Sequence, residues 1–173
     1  MGVFTICDDI LNMQTFLTST ESYTVTASQL DDRRLNKQIL EGWQLMLNIL
    51  NLNPEGNIRF AKGWVNHPAR KMWVGAELEL YNYVQTMCVE WEKRGHSNIV
   101  KEKSTQTLKH AEQLNITVGT VLPSWMSEVA IYDKLCSTHR QALLCKEYEF
   151  YSQFGWPEDT GFKPETYEYF WPA

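Results

Sequence analysis

The stretch Leu30-Asp31-Asp32-Arg33-Arg34-Leu35-Asn36-Lys37-Gln38-Ile39-Leu40-Glu41 decides how the chain is read. Residues three and four apart share a helical face. Continued to Leu50, this spacing puts Leu35, Ile39, Trp43, Met46 and Leu50 on one stripe, and Arg34, Lys37, Glu41, Gln44 and Asn48 on the other. The first stripe is core and the second is polar. Ser28 followed by Asp31 fits a helix start in which a side-chain oxygen caps free amides. The spacing therefore predicts a helix from about Gln29 to Leu50. It ends where Pro54 and Gly56 punctuate the segment from Asn51 to Gly56. Glu41 lies mid-helix among cations. A carboxylate so placed can stabilise a developing positive charge, and the same pattern is also that of an ordinary solvated face.

Downstream, Pro68 suits the first position of a second helix, because its fixed φ matches that position. Met72, Ala76, Leu80, Val84, Met87 and Trp91 form its buried stripe. Lys93, Arg94 and Gly95 suit its carboxyl end. A short polar helix is expected over Lys101 to Gln113, and two more over Ser127 to Leu135 and Thr138 to Tyr151, with Thr138 as a cap. Upstream, Met13 to Leu17 reads as extended and apolar, Thr18 to Thr26 as loop, and residues 1–12 as an N-terminal extension. No strands alternate with helices. The expected class is mainly α: residues 13–173 form a single compact bundle of about three to five helices, with an N-terminal segment packed against it.

The 173 residues suffice for one domain with a real core, and 43% apolar content marks a globular chain. No apolar run is long enough to cross a bilayer. The net charge of −5 weighs against a nucleic-acid partner, although the distribution of charge matters more than its sum. Cys7, Cys88, Cys136 and Cys145 form no CxxC pair and suggest free thiols in a reducing cytoplasm. Cys88 sits on an apolar helix face, so burial is its expected role. His67, His96, His110 and His139 lack metal-ligand spacing. No phosphate loop or nucleophile elbow occurs, and neither metal nor cofactor is expected.

Two further stretches carry chemistry-bearing residues. Trp64-Val65-Asn66-His67-Pro68-Ala69-Arg70-Lys71-Met72-Trp73 sets His67, Arg70 and Lys71 at a helix start, where free amides attract phosphate. Equally, His67 is a simple cap there, with Trp64 and Trp73 in the core. Ser137-Thr138-His139-Arg140, followed by Phe150 to Trp156, interleaves cations with aromatics, as suits a single strand or an extruded base. It also fits a helix start with an aromatic tail in the core.

Taken in order, Met13-Gln14-Thr15-Phe16-Leu17, Leu30 to Leu35 with Glu41 following, Asn66-His67-Pro68-Ala69-x-Lys71-Met72-Trp73, and His139-Arg140 to Phe154-Gly155-Trp156 resemble the pyrimidine-dimer DNA glycosylases of the phage endonuclease V type and their phage-borne relatives. The resemblance spans about residues 13–171. It implies a helical, monomeric repair N-glycosylase acting on damaged or modified pyrimidines in duplex DNA, located in the cytoplasm (that of the host if phage-encoded). It implies Glu41 as the catalytic carboxylate, and Arg33, Arg34, Lys37, His67, Arg70, Lys71, His139, Arg140 and Trp156 as the nucleic-acid-binding set. In the family an amino-terminal α-amine attacks the sugar, forms a Schiff base and permits strand cleavage. That residue matches the region of Gln14, so the attacking group is an amine brought there or water. The arginines that flank the glutamate in the best-known branch are Leu40 and Gln44 here. Two other functions fit the same residues: an N-glycosidase on a free nucleotide or nucleoside, and a non-catalytic module binding nucleic acid or protein.

Overall fold

The computed structural model describes residues 13–172, so the expected extension over 1–12 lies outside the described residues. Among these residues there are eight α-helices, one 3₁₀ turn and no strand beyond a single antiparallel bridge between Leu52 and Ile58. The mainly α class is as expected. The helix count is higher because three helices are single turns.

Helix α1 spans Tyr23–Gln29, inside the segment expected to be loop. Its start is a Ser22 side chain accepting the Val25 amide at 3.2 Å. Its end is held from outside: Arg94 donates to the carbonyls of Ala27 at 3.0 Å and Leu30 at 2.7 Å. Ser and Thr content is what pointed to loop, but the burial of Thr26 and Ala27 against the rest of the fold overrides that weak preference.

Helix α2, Asp32–Leu50, is the expected amphipathic helix, but its cap is Asp31 rather than Ser28. Asp31 Oδ1 accepts the Arg34 amide at 3.0 Å, whereas Ser28 turns back to donate to Val25 O. Asn51, at φ 54°, ends the helix in the left-handed region. Leu35, Ile39, Trp43, Met46 and Leu50 are all buried, as their spacing requires.

The long helix expected from Pro68 is two helices, α3 (Pro68–Lys71) and α4 (Glu77–Lys93). Gly75, at φ +83°, leaves the right-handed region and breaks it. The next turn restarts on Glu77, whose carboxylate accepts the amides of Gly75 at 2.7 Å and Gly119 at 2.5 Å. Gly119 lies so close that a Cβ there would sit 2.0 Å from the Gly75 carbonyl oxygen. Helices α2 and α4 cross at Gly42, where a Cβ would meet Val84 Cγ2 at 2.6 Å.

Helix α5 spans Val100–Gln113, close to expectation. After α6 (Ser124–Ser127), α7 runs unbroken from Val129 to Lys146, where two helices were expected. Thr138 is not a cap: its hydroxyl donates to Leu135 O within the helix. Helix α8 (Tyr148–Tyr151) and a 3₁₀ turn (Ser152–Phe154) follow. The aromatic tail then packs partly on the core through Tyr167, Tyr169, Phe170 and Trp171. Cys88 is fully buried on α4, as its face implied.

Candidate active site

The segment 13–18 is buried along its whole length yet belongs to no helix or sheet. Buried amides need acceptors, so side chains from across the fold must supply them. The Gln14 amide donates to Glu41 Oε2 at 3.3 Å, and the Thr15 amide to the Gln14 side chain at 2.9 Å. The Phe16 amide donates to Gln38 Oε1 at 2.9 Å, the Leu17 amide to His139 Nδ1 at 2.9 Å, and the Thr18 amide to Thr26 Oγ1 at 3.0 Å. Donors fix the other side of the segment. Tyr83 Oη donates to Phe16 O at 2.8 Å, Arg140 Nη1 to Thr18 O at 2.8 Å, and Trp73 Nε1 to Thr15 Oγ1 at 2.9 Å. The motifs that stand far apart in sequence therefore meet around one threaded strand of chain.

Glu41 is at the open end of this arrangement. Its side chain keeps 14% of its surface exposed, and Oε1 lies 3.6 Å from Lys37 Nζ. Thus the carboxylate is fixed by an amide and a cation, and still reaches solvent. That is a suitable place for charge developing on a substrate sugar. Its charge also raises the hydroxyl pKa of buried Tyr83, after burial itself, so Tyr83 stays a neutral donor.

The other expected site residues divide by exposure. His139 has no exposed surface, and burial holds its imidazole down at about 3. Accepting at Nδ1 assigns its proton to Nε2. Arg140 grips Glu158 with two hydrogen bonds of 2.8 and 2.7 Å. Burial pushes the Glu158 carboxyl up, but this pair outweighs it and the net shift is down. Arg34 is 5% exposed and pairs with Asp31 at 2.9 Å, where Tyr151 Oη also donates. Burial raises Asp31, and the Tyr151 and Arg34 hydrogen bonds reverse that to a net lowering. Trp156 is 7% exposed and packs against Tyr151 and Phe154, with ring centroids at 5.6 and 5.3 Å. These four residues hold the scaffold and offer little surface to a ligand.

Arg33 and Lys71 are exposed, while Lys37, His67 and Arg70 are half-buried. His67 caps α3 by accepting the Ala69 amide at 3.1 Å, and burial lowers its pKa. Arg70 Nε donates to Asn48 Oδ1 at 2.6 Å, which ties α3 to the polar stripe of α2. Trp73 is fully buried, but Trp64, expected beside it in the core, is 46% exposed. Among the described residues no group of His, Cys, Asp and Glu could hold a metal, and no helix is long and apolar enough to cross a membrane.

Gln38 and Tyr83 were missed by sequence reasoning. The signal for Gln38 was available: it is a polar residue beside the core stripe, one turn before Glu41. Charge distribution was also hidden in the total. From Arg33 to Lys71 there are seven cations and two carboxylates, a local balance of +5 in a chain of −5. The segment carrying Glu41 is thus basic, and the remainder of the chain, at −10, is acidic.

The profile of the pyrimidine dimer DNA glycosylase family matches residues 13–104, more than half of the chain. That span contains the threaded segment, Gln38, Glu41, Trp73 and Tyr83. No curated protein and no solved structure matches the chain.

Proposed function

The chain belongs to the pyrimidine dimer DNA glycosylase family, and from that premise we propose that it cuts the N-glycosidic bond of a pyrimidine-dimer nucleotide in duplex DNA, with Glu41 as the catalytic carboxylate. One observation carries this: Glu41 Oε2 lies 3.3 Å from the Gln14 main-chain nitrogen, on a partly open carboxylate beside Lys37. Ionised Glu41 stabilises the cation that forms at C1′ as the base departs with the bonding electron pair. A water then bonds to C1′ and gives its proton to Glu41. With Gln14 joined to Met13, its nitrogen is an amide without a nucleophilic lone pair, so in the intact chain the attack falls to water or to another amine brought to C1′.

The same geometry suits an amine. Were the Met13–Gln14 bond cut, an α-amine would lie beside Glu41, able to displace the base, open the sugar and form an imine. Glu41 would then remove the C2′ proton for strand cleavage. Arg33, Lys37 and Lys71 are the cations placed to hold phosphate. His139, Arg140, Arg34 and Trp156 act by holding the segment and its neighbours in place.

The test is incubation of the full chain with duplex containing a cyclobutane pyrimidine dimer, with undamaged duplex and with free dimer nucleotide, each with and without borohydride. N-glycosidic cleavage of the damaged duplex alone, read as an alkali-labile abasic sugar with the base still tethered through the cyclobutane ring, supports the proposal. A borohydride-stable adduct identifies an amine, and peptide mapping locates it. Turnover of the free nucleotide without turnover of duplex rejects the DNA substrate.

A further inference from the structure

The loop between α2 and α3 combines features that the site above does not use. Phe60 is 76% exposed, Ile58 56% and Trp64 46%. Of the seven tryptophans, all among the described residues, Trp64 alone is exposed rather than buried or half-buried. Exposed aromatics in a loop are normally mobile, but this loop is braced. Arg59 N donates to Asn51 O at 2.7 Å, Ala61 N to Asn51 Oδ1 at 3.1 Å, Asn48 Nδ2 to Gly63 O at 2.9 Å, and Arg70 Nη1 to Val65 O at 3.4 Å. Trp64 itself has φ +61°, in the left-handed region that disfavours a bulky side chain, although Gly63 stands next to it. Such a conformation persists only where the surroundings hold it. Here the Trp64 carbonyl accepts the His67 amide at 2.9 Å. The loop therefore keeps its aromatic groups in solvent against their own preference.

Its position and charge say what covers them. Asn48, one anchor of the loop, lies two turns beyond Glu41 on the polar stripe of α2, about 10 Å along the axis. Arg59 and Lys62 are exposed beside Phe60, on the chain segment with the positive balance. An apolar tip flanked by cations is complementary to stacked bases between phosphates. Resting on the glycosylase reading above, we propose that the loop 58–65 is a DNA-inserting element: Phe60 and Trp64 enter the base stack beside the damaged nucleotide, and Arg59 and Lys62 hold the flanking phosphates. Removing a nucleotide from a duplex leaves unstacked neighbours. Inserted rings replace the lost stacking and keep the damaged sugar presented to Glu41.

The experiment places 2-aminopurine opposite a dimer in duplex DNA, where insertion would displace it from the stack, and follows its fluorescence with the full chain, alongside N-glycosidic cleavage of the same duplex and of single-stranded dimer DNA, read as alkali-labile sites. Wild type is expected to raise the fluorescence. Phe60→Ala and Trp64→Ala should each remove most of that rise and weaken duplex binding by about tenfold or more, leaving single-strand turnover within about twofold. Phe60→Tyr should restore it, and circular dichroism confirms that each variant is folded. Variants that match wild type on the duplex overturn the insertion while leaving the glycosylase reading intact. An aromatic-dependent rise without any N-glycosidic cleavage sinks the glycosylase reading and supports insertion. No binding to duplex at low salt overturns both.

Discussion

Replacing His139 with Asn should flatten the pH dependence of stability. His139 is fully buried, and its Nδ1 accepts the Leu17 amide at 2.9 Å, so the fold needs the neutral ring. Burial, with Arg140 adding repulsion, lowers its pKa from 6.5 to about 3. A folded pKa below the unfolded one favours the native state above the unfolded value, and that stability is lost as pH falls. The loss begins near pH 6.5 and is complete near pH 3. Between these limits it amounts to about 1.4 kcal/mol per pH unit, or about 2 kcal/mol by pH 5. Asn keeps an acceptor for Leu17 N and does not titrate. Urea unfolding of both proteins at about pH 7 and about pH 5 measures the difference, with His67 and the carboxylates common to both. Wild type should lose about 2 kcal/mol more than His139→Asn over that interval. Equal losses would show that His139 does not hold the segment as the neutral ring.

Other predictions follow from the same contacts. Gln38→Met leaves the buried Phe16 amide without its acceptor at 2.9 Å. It should cost about 1–3 kcal/mol in urea unfolding, and lower kcat more than it raises KM, because the segment beside Glu41 is displaced. Gly42→Ala drives a Cβ to 2.6 Å from Val84 and should cost about 1–3 kcal/mol. Val84→Ala on that background should recover part of the loss, which a double-mutant cycle reads directly. Arg33→Gln and Lys71→Gln should each reduce the slope of log binding constant against log salt by about 0.9 if each holds one phosphate. Glu158→Gln, whose partners are Arg140 and Ser137 inside the fold, should leave that slope unchanged.

How much was legible in the sequence differs by element. Helix α2 was readable because one periodic apolar stripe fixes both its identity and its buried face. The break at Gly75 was not, since Met72, Ala76 and Leu80 keep helical spacing across it. The reason lies in Gly119 pressing on Gly75 and in the Glu77 carboxylate that holds both amides, contacts between residues far apart in the chain. Helix α1 was hidden by its Ser and Thr content, because what ends it is Arg94 from α4. Within the site, Glu41 stood out as a carboxylate among cations. The sequence also marked His139 and Arg140, but it could not show that both face inward onto the segment 13–18. Phe60 went unremarked because exposure of an aromatic residue is a property of the folded chain. The total charge misled for a simple reason: most of the acidic residues lie outside the basic segment 33–71.

The most direct measurement is the single-turnover rate of N-glycosidic cleavage in dimer-containing duplex, read as alkali-labile abasic sites, for wild type and Glu41→Gln, with duplex affinity measured on the same preparations. Glutamine keeps the shape and an acceptor for the Gln14 amide, and removes only the charge. A charge that acts on the transition state predicts a fall of about 10²- to 10³-fold in rate, with affinity unchanged or slightly raised. A Glu41→Gln protein that cleaves the glycosidic bond at the wild-type rate would contradict the assignment of this carboxylate.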